Sequence, residues 1–436
     1  MERHWDVVVV GGGLAGLAAA ATAAGTGASV LVLDAHRLGG RALTDEVDGY
    51  RFNRGAHALY RGAAGRGVLD RLGVAVRGAP PIVAGSRVRR GDRVGALGLG
   101  AAGIARSRML TTRDKAKVFR LMAGMSRWKP AKLADRSAAA WFDELGLAGG
   151  AREAAELIAR TATYVADMST VSADLVAVQV RLAVEKGVEY LHGGWSTMVD
   201  GLAAEARRRG AEIRTGATVR LVAPDGGRVR VVDTSDGIGS LLARRVVLAA
   251  GPPSICAALL PEPPAAWAEL GPPARAACLD MAFAEVPDMT VLLGLDRPLY
   301  LIRHSPPADL APAGGALVHG LRYLRPDEDP SPDAVRAELT EHARIAGLEP
   351  ERAAHMRYLH RMTVCGALPV PGVGLAGRAG VGDTGNEGVL VAGDWVGPEG
   401  HLADAALASG EAAGRRAVAG VERVPAAPPV ATRLAS

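Results

Sequence analysis

Lysine is nearly missing: of 51 basic residues only five are lysines, at positions 115, 117, 129, 132 and 186, and all the others are arginines. Aromatic residues are also scarce, at 4% of the chain. Three cysteines, Cys256, Cys278 and Cys365, are odd in number and form no C-x-x-C pair, which excludes a disulfide framework and leads us to expect a reducing, cytoplasmic setting. The net charge of +5 is carried by scattered arginines without blocks, so no nucleic-acid partner is expected. No apolar run reaches the roughly 20 unbroken residues of a membrane span. What remains is a glycine-rich chain of 436 residues, 49% hydrophobic, long enough for two or three domains. It shows no repeat of fixed period.

The most informative stretch is VVVVGGGLAGLAAAATAAGTGASVLVLD, Val7 to Asp34. Val7–Val10 reads as a strand, Gly11, Gly13 and Gly16 fit G-x-G-x-x-G, and an Ala-rich helix runs to about Ala24. Gly25 and Gly27 break that helix, and Ser29–Leu33 reads as a second strand closed by Asp34. A secretory signal has no reason to end in a strand and a carboxylate. A dinucleotide site accounts for each glycine of the motif: one for the tight turn, one for close phosphate approach, one for helix-on-strand packing. The helix N-terminus then offers free N–H groups to a pyrophosphate, held by Gly11, Gly12, Gly13, Ala15 and Gly16. Asp34 is placed to accept from the ribose hydroxyls.

Farther along, Leu38–Arg41 adds a glycine pair and Tyr50–Tyr60 reads as strand and turn. Between Pro80 and about Gly187 the pattern is helical. Thr111–Trp128 opens on a Thr111–Asp114 capping box, and Ser137–Leu145 opens on a Ser137 N-cap. Nucleotide-type alternation returns with a helix at Ser196–Arg209 and strands at Glu212–Thr215, Thr218–Val222, Arg228–Asp233 and Arg245–Ala250. Strand-like runs from about Ala274 to Thr363 enclose one helix, Pro332–Ile345. A strand at Gly388–Ala392, Gly393-Asp394 and a small-residue helix from about Leu402 to Val418 close the folded part. The simplest organisation is a nucleotide domain made of residues 1–79, 188–272 and 380–420, a second domain made of 80–187 and 273–379, and a Pro/Ala-rich, disordered tail at 421–436.

The opening unit, Gly39-Gly40-Arg41, HGGWSTMVDGLAAEARRRGAEIRTGATVRLV, RRVVLAAGP and GVLVAGDWVGPEGHLADAALASGEAAGRRA together resemble the FAD-dependent oxidoreductases of the flavin amine oxidase/phytoene desaturase superfamily. The resemblance implies an α/β fold: a glutathione-reductase-type, Rossmann-like FAD-binding domain with an interleaved α+β substrate domain. It implies one FAD, non-covalently held because no cysteine lies in the C-terminal helix region. By resemblance Gly40 and Arg41 extend the phosphate cradle, Val219 meets the adenine through its backbone, and Gly393 and Asp394 reach the ribityl chain. The helix start at His401, Leu402 and Ala403 points its positive end at the flavin pyrimidine, which favours reduction. His57 and His401 lie in segments that the family brings near the isoalloxazine, so both are candidate proton-handling residues. Trp395 and Tyr164 are candidate cavity or core aromatics, with core the simpler reading.

The expected reaction is hydride removal from a small, largely apolar organic metabolite onto flavin N5, with O2 or another acceptor reoxidising the flavin. Many flavin amine oxidases place a lysine near N5, and Ala276–Phe283, the segment matched to that position, has none. The alternatives are amine oxidation and non-redox flavin-dependent isomerisation. A non-enzymatic binding protein, like the GDP-dissociation inhibitors that resemble this fold, is disfavoured by Asp34, Arg41 and Asp394. A second glycine pattern, Gly372–Gly377, follows prolines 369 and 371 and precedes no helix, so it is not read as a nucleotide site. His355 and His360 lack companions at metal spacing and are read as structural. Arg106–Lys132 carries nine basic residues and one acid around an apolar stripe, which fits either a solvated helix or peripheral membrane contact.

Overall fold

Each valine of the first strand faces one of two cores, and this alternation sets the architecture. A computed structural model describes residues 4–96, 101–233 and 239–419; the tail 421–436 lies outside the described residues. In strand β1 (His4–Val10), Val7 and Val9 pack beneath the helices, whereas Val8 and Val10 pack into the opposite core. Buried on both sides, the strand has no polar face, as a parallel strand between two layers requires.

Helix α1 (Leu14–Ala24) and strand β2 (Val30–Asp34) complete the first unit, and β2 runs parallel to β1 with Val8 opposite Leu31. Glu212–Thr215 joins β2, and Ser240–Leu248 joins the other side of β1, both parallel. Val389–Val391 is parallel to the end of Ser240–Leu248, and the hairpin Val219–Asp225/Arg228–Asp233 is antiparallel to its beginning. The result is one seven-stranded sheet. Helix α1, Ser196–Arg208 and Ala403–Ala417 pack together on one face.

A second seven-stranded sheet, mostly antiparallel, carries His355–Cys365, Ala274–Phe283, Ala316–Leu324, Leu299–Ser305, Val291–Gly294 and Arg87–Arg90 in that order, ending on Arg93–Ala96. Helix Pro332–Ile345 covers one face. The other face packs on the helices Thr112–Gly124, Ala138–Glu144, Gly149–Thr163 and Ala173–Glu185.

Several sequence expectations shift at their ends. The strand expected at Arg245–Ala250 begins at Ser240, because Ser240–Ala243 pairs antiparallel with Val229–Val232 ahead of the arginine pair. The helix expected to reach Trp128 stops at Gly124 and tightens into a 3-10 turn at Met125–Arg127. Its Thr111–Asp114 capping box is formed, with both reciprocal bonds present. Val118, Leu121 and Met125 of this basic segment turn into the core, and Phe119 and Met122 pack half-buried against it. Among the described residues no helix is long and apolar enough to cross a membrane.

Candidate functional site

The three motif glycines divide their labour visibly. Gly11 has φ +107°, and a Cβ there would lie 2.3 Å from the Ala249 carbonyl oxygen. A Cβ on Gly16 would lie 1.8 Å from the Gly11 oxygen, so only glycine lets α1 start so close to β1. At Gly13 a Cβ would meet no protein atom within 4 Å, so packing against protein is not what calls for glycine there. Gly13 is also the N-cap of α1 without a side-chain capping bond, and no acid stands in the first turn. The N–H groups of Leu14, Ala15 and Gly16 are thus left for an anion, where the helix dipole favours one.

Asp34 ends β2 beside this turn. Its Oδ2 accepts the Gly12 N–H at 2.6 Å and its Oδ1 the His36 N–H at 2.8 Å, which fixes the carboxylate plane while each oxygen keeps acceptor capacity for a ribose diol. The Ala217 N–H donates to the Asp34 carbonyl, bringing the Thr218–Val219 backbone alongside.

About the chain's other end, Arg41 Nη1 donates to Asp394 Oδ2 at 2.7 Å and to the Val364 carbonyl at 3.0 Å. The Gly366 N–H also donates to Asp394 Oδ2. Burial pushes the Asp394 carboxyl upward, but the Arg41 guanidinium and the Gly366 amide outweigh it and hold the carboxyl below its ordinary range. Asp394 Oδ1 is buried with no partner. A buried carboxylate oxygen without a donor is costly, and a ribityl hydroxyl would supply that donor. Gly393 sits against Trp395, and its N–H donates to Ser409 Oγ. The residues present therefore fit FAD at its pyrophosphate, ribose and ribityl positions.

Leu402, the N-cap of helix Ala403–Ala417, has φ +52° and ψ −126°, a conformation that costs a non-glycine residue about 1–3 kcal/mol and is typical of functional sites. His401 beside it is fully enclosed, its Nε2–H donating to the Thr163 carbonyl at 3.1 Å. Burial pushes its imidazole down to about 4. Arg378 Nη2 donates to the Gly400 carbonyl and Nη1 to that of Asp394, clamping this turn. Nothing in the Arg378 sequence neighbourhood had marked it.

His57 is different. Its ring is half-buried, and Nδ1–H donates to the Gly55 carbonyl at 2.9 Å. A carbonyl only accepts, so the proton lies on Nδ1 and Nε2 is the free acceptor. The ring packs 4.4 Å from Trp195. Burial pushes its pKa down to about 4, the Gly55 carbonyl working against the shift, with His319, Asp280 and Arg41 adding smaller opposed contributions. His57 therefore lies within the electrostatic reach of both the Arg41–Asp394 pair and the second sheet.

The two candidate aromatics separate. Trp395 is core, fully buried with its indole N–H on the Gly251 carbonyl. Tyr164 is half-buried and donates its hydroxyl to the Ala56 carbonyl at 2.7 Å, holding the residue before His57. His355 pairs with Asp48 and His360 with the Tyr358 hydroxyl. Gly372–Gly377 forms turns, where Leu375 N–H donates to Asp174.

Cys365 is almost 30 residues from the C-terminal helix region in sequence, yet its sulfur lies 4.0 Å from the Asp394 carbonyl. Burial pushes this thiol well above its ordinary value, and a protonated, enclosed thiol is a poor nucleophile. All three cysteines are free and buried.

A family model for flavin-containing amine oxidoreductases matches residues 14–418. The chain is 55% identical over 51 residues to a carotenoid 3,4-desaturase of Haloarcula japonica, covering 12% of this chain and 10% of that protein. It is 45% identical over 71 residues to the human all-trans-retinol 13,14-reductase, covering 15% and 12%. Across the curated relatives the matched segments span only 10–14% of the relatives' lengths. In structure it resembles the cyclohexylamine oxidase of Brevibacterium oxydans, with a TM-score of 0.71 at 18% identity over 97% of this chain and 100% of that one.

Proposed function

We propose that this chain, which belongs to the flavin-containing amine oxidoreductase family, is a FAD-dependent oxidoreductase that oxidises or desaturates a small, largely apolar organic metabolite, with non-covalent FAD and O2 or another acceptor. One observation carries the cofactor reading: the Asp394 carboxylate, buried and paired to Arg41 on one oxygen, has no partner on the other. Bound flavin supplies a two-electron acceptor. The protein supplies the rest. The uncapped start of α1 binds and orients the pyrophosphate. The start of helix Ala403–Ala417 would offer its positive dipole end to negative charge developing on a bound flavin. His57 presents Nε2 as an acceptor for a substrate proton, already oriented by Gly55 and Trp195. His401, fully enclosed and bonded to Thr163, is the weaker candidate for that task.

The surroundings of His57 support an apolar substrate. Met362 packs against Gly55, Tyr164 holds the Ala56 carbonyl and Trp195 packs on the His57 ring, so the segment is bordered by apolar and aromatic side chains. Asp280, the buried carboxylate whose charge reaches His57, is fully paired with Arg357, so it offers no counter-ion to a cationic amine. The test is to load the protein with FAD and mix it anaerobically with a panel of candidate metabolites. Bleaching of the flavin is expected with the true substrate; turnover without net bleaching or consumed acceptor would mean an isomerase. His57→Ala should slow flavin reduction by about 10²–10⁴-fold, the usual range for a general base, with FAD content unchanged.

A further inference from the structure

An ionic knot lies under the Asn53–Tyr60 segment. Asp280, near the middle of strand Ala274–Phe283, is fully excluded from solvent. Its Oδ1 accepts from His319 Nδ1–H at 2.5 Å and from the Cys278 thiol at 2.9 Å. Its Oδ2 accepts both Nε and Nη2 of Arg357, at 3.0 and 2.6 Å. Arg357 stands on the neighbouring strand His355–Cys365 but spends its other donors outside that sheet: Nη1 on Asp45 at 3.1 Å, Nη2 also on the Asn53 carbonyl. A planar guanidinium that grips a carboxylate with two donors has little freedom left, so whatever else it binds is held at a fixed angle.

Cys278, Asp280 and His319 are close enough together to hold a metal ion, but the guanidinium already places a cation on this carboxylate. The short separations are explained by two donors converging on one oxygen.

The Asn53 end of the segment is fixed by more than Arg357. Asn53 Oδ1 accepts the Trp195 N–H at 2.9 Å and the Thr44 hydroxyl at 2.8 Å. Gly55, at φ +98°, has Met362 where a Cβ would go. The Ala56 carbonyl is held by Tyr164, and the Ala56 amide faces the Cys278 sulfur. Of these contacts the one made by an ion is Arg357 on the Asn53 carbonyl.

We propose that the Arg357–Asp280 pair positions His57: by gripping the Asn53 carbonyl from the second sheet, it keeps the imidazole Nδ1–H on Gly55 and Nε2 turned toward the reaction space. This rests on the reading of His57 as the proton acceptor. Asp280 and Arg357 are positioning residues, and they act through the segment rather than on the substrate.

The test uses FAD-loaded protein labelled with 15N-histidine, the His57 signals being identified by their loss in His57→Ala. In the wild type the ring should be protonated on Nδ1 and stay neutral down to about pH 4; the charged and titratable groups that reach it are His319, His304, Asp280 and Arg41, with Arg357 behind Asp280. In Arg357→Met the ring should exchange between tautomers, and its midpoint should rise by about 1–2 pH units toward the ordinary value near 6.5. Arg357→Lys, which can keep the Asp280 contact but not the second fork on Asn53, should fall between the two. It also serves if the methionine variant does not fold. A folded variant whose His57 tautomer and midpoint match the wild type overturns the proposal. With a substrate in hand, the double variant His57→Ala/Arg357→Met should reduce its flavin no more slowly than His57→Ala alone, and additive losses would refute action through His57. Failure of the His57 reading itself looks different: His57→Ala then reduces its flavin at the wild-type rate whatever stands at 357.

Discussion

Replacing Asp394 by asparagine is the sharpest probe of the cofactor site. The side chain keeps its shape, so the surrounding core of Trp395 and Val396 is undisturbed. Two things change. The Arg41 guanidinium loses the charge of its partner 2.7 Å away, and the unpartnered Oδ1 position is taken either by an amide N–H2, which a hydroxyl can meet only by turning a lone pair to it, or by a neutral oxygen that accepts less strongly. A hydrogen bond to a charged group contributes about 1.5–3 kcal/mol. Arg41 is 42% exposed, so its loss of a partner adds only the small energy of a solvent-screened pair, at most about 1 kcal/mol. Since 1.4 kcal/mol is a factor of ten, the FAD dissociation constant should rise by about 10- to 700-fold. Quenching of flavin fluorescence on titration into apoprotein measures it directly, with far-ultraviolet dichroism confirming the fold. Because Arg41 and Gly366 hold the wild-type carboxyl below its ordinary range after burial is overcome, wild-type affinity should not lose this charge until the pH falls below about 4. A folded Asp394→Asn protein that binds FAD within threefold of the wild type would refute the assignment of Oδ1 to a cofactor hydroxyl.

Two further perturbations separate fold from ligand. Gly13→Ala should fold with an unchanged melting temperature as apoprotein yet bind FAD poorly, whereas Gly16→Ala, with a Cβ 1.8 Å from the Gly11 oxygen, should fail to give soluble folded protein; equal melting temperatures for the two apoproteins would contradict the division of roles. Asp404 is buried with one oxygen on the Gly65 N–H, and burial, reinforced by Glu399, pushes its carboxyl up to about 7. A raised carboxyl stabilises the folded state fully at low pH, and this is lost as pH climbs from the unfolded value near 4 through 7. Asp404→Asn, whose amide oxygen still accepts from Gly65, should therefore add nothing at pH 4 and up to about 4 kcal/mol by pH 8; denaturant titrations at both pH values check it, and an equal or smaller stability at pH 8 would show that Asp404 stays comfortably ionised.

The dinucleotide turn was readable because each part is local: a buried strand, glycines at three fixed spacings, a helix and a carboxylate within 34 residues. The same locality exposed Gly393-Asp394 and the final helix. The helix at Pro332–Ile345 was also readable, since its periodicity and opening proline sit in one window. Asp280, His319 and Arg357 gave no such signal. They lie on three strands joined only by tertiary pairing, Asp280 standing opposite His319 on one side and opposite Arg357 on the other. Alternation along Ala274–Phe283 does put Cys278 and Asp280 on the same face, but it does not say that a carboxylate there would be gripped rather than solvated. Cys365 shows the same limit from the other side: sequence distance kept it away from Asp394, and the fold brings it back. Strand ends were misjudged where pairing rather than composition decides them, as at Ser240–Leu248.

Helix α1 and helix Ala403–Ala417 touch backbone to backbone: a Cβ at Gly410 would lie 2.2 Å from the Ala15 oxygen, and one at Gly414 would lie 2.5 Å from that of Ala19. Nearly four hundred residues separate the two halves of that contact. On the ribosome the Val7–Asp34 unit must therefore wait, its alanine face uncovered, until the last helix has emerged. Without Asp394 and helix Ala403–Ala417 the pyrophosphate turn has no cover over its helix and no carboxylate at the far end of the site, so cofactor loading is expected only after that segment has been made.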